Sequence, residues 1–269
     1  MLLFTAFNTS QSLATQVLED NNFGNLGFYS LAILYCVFGF CCFISLPIVK
    51  KLGARMSLVI GAFCYTFYVA SFILPAFKSQ KPNSTSWLLN RTFILWLILI
   101  AAAINGFGAA ILWVAQGQYI SMCANEKNKG QYNSIFWALL MCSGVIGNLM
   151  AAFVVANVQQ STFYIVMTTF CVASSLFFLL LKIPIPQPEE VNSIGNSVRE
   201  STKASEVETK TTVKEDILET AKLMLSKRML RIIPFIMWTA ISCAIYAGVF
   251  VPLMTDTMST NPNTKHWSD

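Results

Sequence analysis

Apolar residues along this chain are gathered into long runs separated by short polar segments. Six runs approach or exceed the roughly 20 residues that a helix needs to cross about 30 Å of hydrocarbon: 26–49, 56–77, 93–115, 132–155, 163–181 and 232–254. A seventh, 1–17, is short and is broken by Asn8, Thr9, Ser10, Gln11 and Ser12. It lacks the basic start of a signal peptide and is expected to be a truncated first span. Helices are the expected form, because each satisfies its own backbone hydrogen bonds in lipid. Runs such as 93–104 show none of the alternation of a transmembrane barrel strand. The pattern predicts an all-α, multi-pass membrane protein.

Composition agrees. Of 269 residues, 55% are hydrophobic and only 12% charged, half the charge of an ordinary soluble domain. The net charge of +5 does not point to nucleic acid, since the cations sit in short connectors rather than on one surface. Counting the runs 1 to 7, the connectors after runs 2, 4 and 6 hold Lys50, Lys51, Arg55, Lys127, Lys129, Lys182 and the eight further cations up to Arg231. That side is expected to be cytosolic. The opposite side carries two N-glycosylation sequons, at Asn83 and Asn90.

Residues 1–183 are expected to form a six-helix bundle. Residues 184–228 form a cytosolic linker, opened by Pro184, Pro186 and Pro188 and rich in Ser, Thr, Glu and Lys. Its end carries Val213, Ile217, Ala221 and Leu225 at helical spacing, with Thr212 and Glu215 placed as a capping box. Residues 229–269 hold span 7 and an outer tail.

All 13 acidic residues and the single histidine, His266, fall outside the runs. The usual intramembrane proton and cation carriers are therefore missing from them. Seven of the eight cysteines lie within runs, read as buried apolar side chains, and no C-x-x-C pair occurs. No nucleophile elbow, phosphate loop or H-E-x-x-H is present. No enzyme activity, metal or cofactor is expected.

What remains inside or just flanking the runs is uncharged polarity: Asn8, Gln11, Gln16, Asn105, Gln116 and Asn148, with Trp113 near them. Asn105 and Gln116 are eleven residues apart, which returns a helix to within about 20° of the same face. Such amides either bond between helices or line a cavity. Two stripes of small residues, Ala102, Gly106 and Ala110, and Ser143, Gly147 and Ala151, suit close helix packing.

The connector with Lys50, Lys51, Gly53 and Arg55 resembles the loop after the second helix of major facilitator superfamily proteins, without the aspartate usual there. More specific is the block Ala109-Ala-Ile-Leu-Trp113-Val-Ala-Gln116-Gly-Gln-Tyr-Ile-Ser121, followed by Asn133-Ser-Ile-Phe-Trp137-Ala-Leu-Leu140 and Gly147-Asn148. With the stretches 3–9, 30–35 and 239–248, it resembles the UNC ninety-three-like (uncoordinated ninety-three) branch of that superfamily, in its orphan facilitator-like subgroup. The resemblance implies a facilitator-type fold of two helical bundles. This chain would supply the six-helix N-terminal half plus span 7, with the second bundle missing. It implies a regulatory or escort subunit for an ion channel or a membrane receptor. The alternative it leaves open is a transporter of an uncharged or lipid-like solute, with Asn8, Gln11, Asn105 and Gln116 lining its cavity. The lipid bilayer is the one partner that the sequence itself requires.

Overall fold

The computed structural model describes residues 1–80, 86–125, 127–157, 159–182 and 213–249, with Leu253 and Thr257. The elements are α1 (Leu2–Asp20), α2 (Leu26–Leu52), α3 (Ala54–Ser71), α4 (Ile73–Gln80), a 3₁₀ turn (Trp87–Leu89), α5 (Arg91–Cys123), α6 (Lys129–Asn157), α7 (Gln160–Leu179), α8 (Val213–Met224), α9 (Lys227–Leu230) and α10 (Ile233–Gly248). No strand occurs among the described residues. Five segments are long and apolar enough to cross a membrane: α2, α3 with α4, α5, α6 and α7. The chain is the all-α, multi-pass membrane bundle expected.

Three elements depart from the spans expected. The run 56–77 is not one helix: α3 stops at Ser71 and α4 restarts at Ile73. Pro75 lacks the amide that would bond the Ser71 carbonyl, and its ring crowds that turn. Phe72 instead bonds back to Val69 over three residues, the tighter 3₁₀ step. The run 93–115 is only part of α5, whose 33 residues span about 50 Å, well beyond the hydrocarbon. Finally, α1 continues past 17 to Asp20 and is not among the five apolar spans.

The burial of α1 explains its polarity. Leu3, Phe4, Thr5, Ala6, Phe7, Thr9, Ser10, Gln11, Ala14, Thr15, Val17 and Leu18 are all buried, covering most of the helix circumference. The helix packs on α2, α3, α6, α7 and α10. Shielded from lipid by its neighbours, it need not be apolar, and a hydropathy pattern underrates it. Aromatic rings tie it to α3, with Phe7 edge-on to Tyr65 at 4.6 Å between centroids. The chain of rings continues through Tyr68 and Phe72 to Tyr164 of α7.

Elsewhere small residues set the spacing. Gly106 of α5 lies against the Leu34 carbonyl of α2, Gly108 against Cys64 of α3, and Gly147 of α6 against Thr9 and Thr5 of α1. Ala102, Gly106, Ala110, Ser143 and Gly147 are buried, so the first stripe and the part of the second formed by Ser143 and Gly147 are packing surfaces. The cysteines differ from expectation: only Cys171 is buried, Cys41 and Cys64 are half-buried, and the other five are exposed. A thiol is apolar enough to face lipid as readily as a protein core.

Candidate functional site: the polar spine and the basic end

The amides singled out in the sequence separate into two classes. Gln11 and Asn105 are sealed in the bundle, 3% and 0% exposed. Asn8, Trp113, Gln116 and Asn148 are half-buried. Gln11 donates from Nε2 to the Tyr35 hydroxyl of α2 at 3.0 Å; it is an interhelical bond of the kind polar groups form in lipid. Both side-chain polar atoms of Asn105 lack a partner, at the fifteenth position of α5. Such a buried amide forgoes roughly 1–3 kcal/mol per group. Replacing Asn105 by leucine is therefore expected to leave stability unchanged or raise it by about 1 kcal/mol. Thermal unfolding of the purified chain in detergent measures this.

Counting 100° per residue, Asn8 sits between two sides of α1. On one side Gln11 and Thr15 meet α2; on the other Thr5 and Thr9 meet α6. Close by, Phe4 contacts Trp113 at 5.3 Å between ring centroids. Trp113 in turn stacks on Trp137 at 6.0 Å and meets Phe136 edge-on. The structure thus brings Trp113 and the two α6 aromatics against Phe4, one helical turn from the half-buried Asn8. It does not bring Asn105 there. Asn105 and Gln116 share a helical face but stand about 16 Å apart along α5, one inside the bundle and one near the projecting end. Tyr35, Phe4 and Phe136 were not predicted for this region. The aromatic block around Trp137 carried the only sequence signal for Phe136.

At the basic end, Gly53 caps α2 with φ +78°, a backbone state that favours glycine. Lys50 and Lys51 fill the last turn of α2, where cations complement the carbonyl end of a helix. Arg55 donates from Nη2 to the Leu179 carbonyl at the end of α7, and the Tyr119 hydroxyl donates to the Lys182 carbonyl at 2.8 Å. Neither partner had a signal in the sequence. Arg55 therefore anchors the end of α7 to the start of α3. Substituting Arg55→Met is expected to cost about 1 kcal/mol, because the bond is partly solvated. It should also raise hydrogen exchange at 176–182 without changing α5.

The opposite end is closed by neutral and cationic donors. Asn21 bonds Gln160 at 3.1 Å, Gln80 bonds Ser161 at 2.6 Å and Lys78 reaches the Leu89 carbonyl. Arg91 donates to the Asn22 carbonyl at 2.7 Å and lies over the Phe23 ring. Asn90 is the N-cap of α5, with Oδ1 accepting from the Thr92 amide at 3.0 Å. The other sequon, at Asn83, and the capping residue expected at Thr212 lie outside the described residues. No cluster of metal-ligating side chains occurs among the described residues.

The family described as ion channel regulatory protein UNC-93 matches residues 22–266. UNC93-like protein MFSD11 of Xenopus tropicalis is 27% identical over 260 residues, 93% of this chain and 54% of the relative. UNC93-like protein 3 of Arabidopsis thaliana is 31% identical over 160 residues, covering 56% of this chain and 30% of the relative. Protein unc-93 homolog A of Bos taurus is 29% identical over 166 residues, 57% and 32% of the two chains. The chain spans about half the length of the relatives it matches most fully. No solved structure matches. With the family match extending over most of its helices, the chain belongs to the UNC-93 family of ion channel regulatory proteins.

Proposed function

We propose that this protein is a non-enzymatic regulatory or escort subunit that binds a membrane channel or receptor through the plane of the bilayer. The observation that carries the reading is the fate of the two deepest amides. Gln11 is consumed by Tyr35 and Asn105 is enclosed on all sides, so neither faces a path for solute. No Asp, Glu, Lys, Arg or His lies between 26 and 49, 56 and 77, 92 and 122, or 160 and 181, so those spans hold no titrating carrier for coupled transport. The family description, ion channel regulation, points the same way.

The surface for a partner is the outward face of α6. There Trp137, Met141, Val145 and Leu149 are all exposed and apolar, while Leu140, Ser143 and Gly147 face the bundle. A facilitator-type transporter is the second reading, favoured by the half-buried group of Asn8, Trp113 and Gln116.

Proximity labelling and mild co-purification of the tagged chain from its native membrane separate the two. The regulatory reading predicts recovery of one specific channel or receptor. That recovery should fall when Met141 and Val145 are replaced by alanine, and should survive Asn105→Leu. Recovery of bulk membrane proteins only, together with solute uptake that Asn105→Leu and Gln116→Leu abolish, supports the transporter instead.

A further inference from the structure

We propose that α8, α9 and the start of α10 form a membrane-surface site for the headgroups of anionic phospholipids. The apolar part of this site is α8. On a helical wheel Ile217, Ala221, Met224, Leu225 and Leu218 fall within an arc of about 120°. Ile217 and Ala221 are half-buried and α8 packs on α2. Leu218 and Leu225 occupy the other edge of that arc and are 55% and 74% exposed. Glu215 and Glu219 lie on the opposite arc. An amphipathic helix with part of its apolar face on a spanning helix and part uncovered suits the headgroup boundary of a bilayer.

Charge specifies the lipid. Lys222, Lys227, Arg228 and Arg231 are all exposed, and no acidic residue occurs between Glu219 and Asp256. Ser226 fixes the turn that presents them, its Oγ accepting from the Met229 amide at 3.4 Å. Only two residues after Arg231 the chain enters α10, whose side chains from Ile233 to Ser242 are almost wholly apolar. The last three cations therefore sit within about two turns of the hydrocarbon edge, the level of lipid phosphates. A soluble acidic partner would match the cations but leave Leu218 and Leu225 in water. An anionic leaflet satisfies both.

The test uses the whole chain in nanodiscs of phosphatidylcholine alone or with about one-third phosphatidylserine. Backbone hydrogen exchange over 213–231 is expected to be roughly tenfold slower in the anionic discs, a difference lost near 1 M salt, where the screening length is about 3 Å. The triple variant Lys227→Gln, Arg228→Gln, Arg231→Gln should lose the difference while exchange in α3 and α5 stays as in the parent. The charge-conserving Lys227→Arg, Arg228→Lys, Arg231→Lys should keep it. Equal exchange in the two kinds of disc overturns the proposal. So does a difference that persists in high salt or in the glutamine variant. If the glutamine variant proves misfolded, the salt series on the parent chain decides alone.

Discussion

Replacing Gly106 by alanine is expected to remove most of the folded protein from a detergent extract. A Cβ there would stand 2.5 Å from the Leu34 carbonyl oxygen and 3.0 Å from the Phe38 amide nitrogen. Both are backbone atoms of α2, so no rotamer change relieves the contact and the two helices must separate. Overpacking of this kind costs about 3 kcal/mol, and the α2–α5 contact is one of the most extensive in the bundle. Gly117, on the same helix but near its projecting end, is the control. Nothing lies within 4 Å of a Cβ built there, so alanine should be neutral or stabilise by about 0.5–1 kcal/mol through helix propensity. Size-exclusion profiles and thermal midpoints of the two variants side by side measure the contrast.

Gly147→Ala is expected to be nearly as damaging, and for a reason that a second substitution can expose. The new Cβ would fall 2.1 Å from Thr9 Oγ1 and 2.8 Å from the Thr5 carbonyl oxygen. Thr9 is held in place, because its hydroxyl donates to that same carbonyl at 2.7 Å. Since α6 attaches to the bundle chiefly through α1, the loss should appear as detachment of α6, with a cost of about 2–3 kcal/mol. Adding Thr9→Ala removes the nearer clash and should recover part of the loss, leaving the share due to the Thr5 backbone. Strict additivity of the two single changes would mean that the residues do not touch.

Much of the architecture was legible because lipid imposes a simple rule on sequence: helices that meet it must be apolar for about 20 residues. That rule revealed α2, α5, α6 and α7 directly. It marked α1 only as a short, interrupted run, because other helices shield it and Thr5, Thr9, Gln11 and Thr15 could be retained inside. The break at Phe72 had a signal in Pro75, but hydropathy alone runs straight across it. The overhang of α5 had none, since residues 116–123 are only moderately polar.

For the candidate site, periodicity puts Asn105 and Gln116 on one face of α5. Depth along the axis is what separated them, and no count of residues supplies the position of the neighbouring helices. The stripe of Ser143 and Gly147 announced that α6 packs closely; that Thr9 is its partner emerged only from three-dimensional placement. Arg55 was noted as part of a loop motif, whereas its bond to Leu179 depends on α3 and α7 meeting 124 residues apart in sequence.

The central claim is that the deep amides Gln11 and Asn105 are sealed inside the bundle and do not line a water-filled path. Cysteine accessibility tests it most directly. In a background with all eight native cysteines replaced, single cysteines at positions 11, 105, 116 and 8 are exposed in intact membranes to a small water-soluble thiol reagent. The structure predicts fast modification at 116, measurable modification at 8, and none at 105 or 11 within the time that saturates 116. Modification at 105 as rapid as at 116 would contradict the account and open the interior of the bundle to solvent and solute.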